Sequence, residues 1–178
     1  LRSLVGSEMC IRDRLTDAID SADVIILTSP VYVYHCTGSM KAWLDHYGYR
    51  WMLHRPNPDM FSKQGVCIST AAGAGTKWTN KDMADSMFFW GMGKIYRYGT
   101  AVHAINYKSI SPEKMAEIEK ATDKLAEKIR KNYGHVKPGL KTKTYFEVMR
   151  KLVKSGWNEV DVAYWKEHGW TEKARPWK

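Results

Sequence analysis

At 178 residues, 44% of them hydrophobic and 26% charged, the chain has the length of one domain and can bury a core without disulfides. Its net charge of +9 sits mostly at one end: from Tyr107 onward 17 Lys and Arg alternate with 10 Asp and Glu at the spacing of solvated helix faces, so nucleic acid is not the expected partner. No apolar run approaches the roughly 20 residues that cross a bilayer, and Cys10, Cys36 and Cys67 share no metal-ligand spacing, which fits a cytoplasmic protein with neither a cysteine-built metal site nor a membrane partner.

Residues 1–14, LRSLVGSEMCIRDR, resemble a translated sequencing-adapter read-through and are expected to be a non-native leader outside the fold. Leu15, Ile19 and Ala22 then mark the end of a helix. Val24 to Leu27 is uniformly apolar, the pattern of a strand buried on both faces of a parallel sheet. Thr28, Ser29 and Pro30 break that run, and after a Tyr-rich loop Met40, Trp43, Leu44, Tyr47 and Trp51 recur at helical spacing, with Thr37 or Ser39 able to cap. His54 to Met60 is a Pro-broken loop. Gly65 to Thr70 reads as a second buried strand running into a turn of small residues. Thr79 and Asp82, in capping-box spacing, predict the start of the next helix, with Met83, Met87 and Trp90 on its inner face and Gly91 and Gly93 at its end.

Ile95 to Ala104 reads as a third strand, bent at Gly99. Ser111 and Pro112 open the clearest helix, with Met115, Ile118, Thr122, Leu125 and Ile129 inward and Gly134 as its stop. Two shorter helices follow. The first carries Tyr145, Val148, Met149, Leu152 and Val153 inward and ends at Gly156; the second runs from Asn158 to Gly169. Trp157, Trp165, Trp170 and Trp177 crowd the tail as core or dimer contacts. Strands alternating with helices demand parallel strands with crossover helices, so residues 15–134 are expected to form an α/β unit and 135–178 a helical extension.

In a doubly wound sheet, ligands sit beyond the carboxyl ends of the strands. Two strand exits here carry unusual loops. One is Ser29, Pro30, Val31, Tyr32, Val33 and Tyr34, which offers aromatic walls; the other is Thr70, Ala71, Ala72, Gly73, Ala74 and Gly75, which offers naked backbone. A flat ring system with polar edges wants that combination, tyrosine faces for contact and main-chain N–H groups for its acceptor atoms, and a flavin fits the description. By contrast, no Ser/His/acid spacing, no phosphate-binding G-x-x-x-x-G-K-[ST] and no metal-binding pattern among the six His residues is present. His103 reads first as a structural residue, Lys41 and Arg55 as solvated ones, and Cys36 has no assigned role.

The ordered set ADVIILTSPVYVYHCTGSMKAWLD, CISTAAGAG, FFWGMGKIYRYG and the ending YWKEHGW resembles the flavodoxin-like NAD(P)H-dependent FMN reductases, including relatives with a helical tail, over roughly Leu15 to Lys178. The resemblance implies a three-layer, doubly wound parallel sheet that lacks the first strands of the flavodoxin-like fold and carries a C-terminal helical extension. It also implies FMN as cofactor, NAD(P)H as reductant, and a hydride passed to flavin N5 and on to an acceptor. The loops from Ser29 to Tyr34 and from Thr70 to Gly75 match those that border the flavin ring in the family. A homodimer is compatible with it, since members often close the flavin site between subunits. Family members begin with a strand and a Ser/Gly-rich phosphate loop that has no counterpart here, so an incomplete N-terminus, an open sheet edge at Val24 and weakened FMN binding are expected. The competing reading is a non-catalytic module whose basic C-terminal helices contact nucleic acid or an acidic partner.

Overall fold

The computed structural model describes residues 14–178, so the expected leader at 1–14 lies, except for Arg14, outside the described residues. A helix, α1, covers 14–21. It leads into β1 (Val24–Pro30), α2 (Gly38–His46), β2 (Gln64–Ala71), α3 (Thr76–Phe89), β3 (Lys94–Ala101), α4 (Pro112–Asn132), α5 (Leu140–Lys154) and α6 (Glu159–Glu167). The three strands form one parallel sheet in the order β1-β2-β3, with Val24 opposite Gln64 and Gln64 opposite Lys94.

Helices cover both faces of this sheet, unevenly. One face presents Ile25 and Leu27 of β1 and Cys67 of β2 to Ile19, Leu44, Met83 and Met87 from α1, α2 and α3, which together make the main core. α3 can lie close because β3 carries Gly99 there; a Cβ at that position would stand 2.5 Å from Thr76 Cβ. Gly99 is thus a close-packing residue inside a regular strand, and the bend expected there is not needed. α4 crosses the opposite face, where Gln64 Nε2 donates to Ile129 O (3.0 Å) and Tyr96 OH to Lys128 O (3.3 Å). Its inward residues remain only partly buried.

α4 covers β2 and β3 and leaves β1 bare on that side. β1 alternates between buried and open residues, and Ile26 is 56% exposed, so the expectation of a strand buried on both faces is corrected. An apolar run alone does not say whether its outer face has a neighbour.

The C-terminal helices build a second core. Phe146, Met149 and Val153 of α5 pack with Trp165 of α6, Trp170, Met52 and Phe61. The helix phase differs from the sequence expectation: Val148 and Leu152 face solvent at 48% and 44% exposure, and Phe146 takes the inward place. Buried Trp165 donates its indole N–H to His54 O (2.7 Å) and stacks on Phe146 with ring centroids 4.7 Å apart, which fastens the tail to the loop after α2. Trp157, by contrast, is exposed. Among the described residues no helix is long and apolar enough to cross a membrane.

Candidate functional site

At the exit of β1, Ser29 turns the chain. Its buried hydroxyl donates to Pro30 O (3.0 Å) and accepts from Thr37 N (3.1 Å), while Thr37 Oγ1 in turn accepts from Met40 N (3.2 Å) and caps α2. One residue further, Val31 N donates to Thr70 O (2.9 Å), which continues the ladder past the strand's end. Tyr32 and His35 then exchange reciprocal backbone hydrogen bonds of 3.0 Å around Val33 and Tyr34, whose φ angles are +49° and +67°. Two positive φ values in a two-residue hairpin are what Asn-Gly normally supplies. A β-branched valine in that conformation is strained, and strain of this kind gathers at functional sites. Tyr32, Val33 and Tyr34 are 63%, 91% and 58% exposed.

The second loop leaves β2 and runs into α3. Ala71 is buried, and its carbonyl accepts from Val102 N (2.9 Å), as that of Ala72 does from His103 N (3.2 Å), so the loop is tied to the exit of β3. Ala72, Gly73 and Ala74 are exposed, and a Cβ on Gly73 would meet nothing within 4 Å. Gly75, at φ +103°, is the N-cap of α3 and touches the first loop: a Cβ there would stand 2.6 Å from Val31 Cγ1 and 3.1 Å from Tyr34 Cα. The helix therefore starts at Thr76, three residues before the expected cap. Thr79 is buried inside it, and its hydroxyl donates back to Gly75 O (3.3 Å).

The two loops singled out in the sequence thus lie side by side at one rim of the sheet. Ser29 and Ala71 serve the frame, whereas Pro30, Tyr32, Val33, Tyr34, Thr70, Ala72, Gly73 and Ala74 face outward. Ser29, Pro30 and Thr70, with Thr28 and Ile68, line a depression of about 170 Å³. A larger hollow of about 290 Å³ lies at the opposite end of the strands, between Asp23, Gln64 and Tyr133, away from both loops.

Three features of the rim carry no local sequence signal. Asp82 of α3 accepts from Cys36 N (3.1 Å) and stands 3.0 Å from His35 Nδ1, so it reaches the first loop rather than capping its own helix. His103, expected to be structural, is exposed at φ +48°. Ile105 and Tyr107 follow it at 100% and 76% exposure. For this third loop the usable signal was position, since it leaves the carboxyl end of a strand as the other two do. The two described cysteines, Cys36 and Cys67, are both buried. Burial raises the Cys36 thiol and the Asp82 carboxylate adds to the shift, while burial pushes Cys67 up to about 12, so both stay protonated near neutral pH. Lys41 pairs with Asp45, and Arg55 lies 3.5 Å from Asp161.

Residues 11–106, more than half of the chain, match the family model of the NADPH-dependent FMN reductases. The chain belongs to that family. It is an oxidoreductase family, named for FMN and NADPH, and its match takes in both rim loops and ends before α4. Among solved structures, a flavone reductase superposes with a TM-score of 0.51 at 19% identity over 72% of this chain and 49% of the other. That likeness agrees with the flavodoxin-like α/β fold, and this FMN reductase relative spans about half the length of the flavone reductase. A thermophilic tryptophan halogenase from Streptomycin violaceusniger matches at 15% identity over 61% of this chain and 72% of that one, with a TM-score of 0.46, too loose a superposition to inform the fold. No curated protein matches the chain.

Proposed function

We propose that this chain is an FMN-dependent oxidoreductase that draws its electrons from NAD(P)H, with the flavin ring held between Ser29–Tyr34 and Thr70–Gly75. The observation that carries the reading is the contact at Gly75: only a residue without a side chain lets Val31 and Tyr34 close against the amino end of α3, and that closure sets exposed tyrosine faces beside exposed backbone. A flat heterocycle with polar edge atoms suits such a rim. The open space over Gly73 admits a close backbone approach, and the exposed segment from Ala72 to Ala74 would offer main-chain N–H groups to acceptor atoms of the ring.

When bound, FMN supplies the hydride-accepting centre at N5, so the protein's contribution is to bind and orient. Exposed Tyr32 and Tyr34 supply aromatic surface at the rim, Ser29 fixes the bend that precedes them, and protonated Cys36 keeps a thiolate out of the site. We further assign residues 15–134 to the flavodoxin-like unit and 135–178 to a helical extension that docks onto Met52 and Phe61 of that unit through the second core. The deciding experiment is a titration of FMN against the purified protein, followed by flavin fluorescence, and then NADPH and NADH oxidation with and without added FMN. Saturable quenching and FMN-dependent nicotinamide oxidation are expected. Absence of quenching at millimolar flavin would overturn the assignment.

A further inference from the structure

The Tyr32–His35 turn is held in its strained shape from two sides. On one side the ladder continues through Val31 N to Thr70 O. On the other, a single carboxylate arrives from α3: Asp82 Oδ2 accepts from Cys36 N at 3.1 Å and lies 3.0 Å from His35 Nδ1, with Oδ1 3.3 Å from the same nitrogen. Its side chain is 25% exposed, so these bonds form in a partly shielded place. Their partners are the two residues that follow Val33 and Tyr34, whose φ angles of +49° and +67° leave both side chains outward. Neither residue type favours that conformation, which Asn or Gly would adopt readily. Something outside the turn has to hold it.

We infer that Asp82 is a positioning residue that clamps the strained Val33–Tyr34 turn and thereby sets the grip of the rim on its planar ligand. As to the ligand, this rests on the flavin reading above; as to the clamp, it rests on the geometry alone. Asp82 reaches across 46 residues of sequence to do this, so the helix that starts at one wall of the site also fixes the shape of the other. Loss of the carboxylate frees His35 and Cys36 together, and the turn relaxes toward conformations in which Tyr34 no longer packs against Gly75 of the other loop.

The test is a double-mutant cycle of Asp82→Ala with Val33→Asn, since Asn tolerates a left-handed backbone and removes the strain the clamp opposes. In the flavin-free protein, amide exchange at Tyr32 and His35 is expected to speed up about tenfold in D82A, the scale of one lost charge-assisted hydrogen bond, and to change by less than about threefold when V33N is already present. FMN affinity should follow the same pattern. Asp82→Asn, which keeps an acceptor for Cys36 N, should fall between and serves if D82A does not fold. Equal losses with and without V33N, or unchanged exchange in D82A and D82N, would overturn the clamp. Because exchange is read without flavin, a native protein that fails to quench FMN sinks the functional reading while the clamp is still decided.

Discussion

Two glycines in one loop separate packing from ligand approach. At Gly75 an added methyl group would meet Val31 and Tyr34 and would have to sit at φ +103°, so Gly75→Ala is expected to cost about 1–2 kcal/mol or more and to pry the two loops apart. Gly73 has no neighbour within 4 Å and no positive φ. Gly73→Ala should leave the melting temperature nearly unchanged while weakening FMN binding, because in the proposed site the new methyl group would intrude on the space left for the ring. Thermal melts and flavin titrations of both variants check this. Should Gly73→Ala bind FMN as the native protein does, the backbone of that loop does not meet the ring.

Between elements, the loop after α2 is held at several points by charge. Asp20, at the end of α1, accepts from Arg50 (2.7 Å at Nη2) and from Asn57 Nδ2 (2.9 Å). Burial alone would raise its pKa, but the Arg50 hydrogen bonds and charge, helped by Asn57 and Lys63, hold the carboxyl below the usual carboxylate range. A depressed folded-state pKa contributes stability above the unfolded-state value near 4 and loses it as pH falls through the folded-state value. Melting temperature should therefore drop below about pH 4, and Asp20→Asn should flatten that part of the profile while lowering stability at neutral pH. In the second core the expectation is steeper: Trp165→Ala removes a fully buried ring stacked on Phe146 and should cost about 3–5 kcal/mol in chemical denaturation.

What the sequence makes legible at this scale depends on whether a signal is local. Ser111 before Pro112, Gly134, Asn158 and Gly169 mark helix ends by residue-level rules, and the helices start and stop beside them. α3 misleads, because its true cap, Gly75, has no side chain to read, while Thr79 and Asp82 imitate a capping box and serve other contacts. α5 has apolar residues at two phases, Val148 and Leu152 as well as Phe146 and Val153, so periodicity could not choose between them until Trp165 and Phe61 supplied a neighbour. The rim loops were visible as compositions, tyrosines after one strand and small residues after the next. The Asp82 clamp was not, since nothing near position 82 points to position 36.

For the whole molecule the uneven dressing of the sheet matters most. β2 is packed on both faces, while β1 has helices on one face, open residues on the other and, among the described residues, no strand beyond it. Its outer backbone groups and the exposed Ile26 form a template for pairing with another strand, the condition under which sheet edges associate. Pro30, which has no N–H, blunts only the end of that edge. The expected consequence is concentration-dependent self-association through β1, and a charge on its open face should suppress it. Ile26→Lys is expected to lower the association seen by sedimentation velocity and to change stability by less than about 0.5 kcal/mol, as for other exposed sites. Ile25→Lys supplies the contrast, because Ile25 is 7% exposed and belongs to the main core; a charge there should unfold the domain. If Ile26→Lys destabilises as Ile25→Lys does, the open face of β1 is covered after all; if the native chain stays monomeric at high concentration, the edge is already protected.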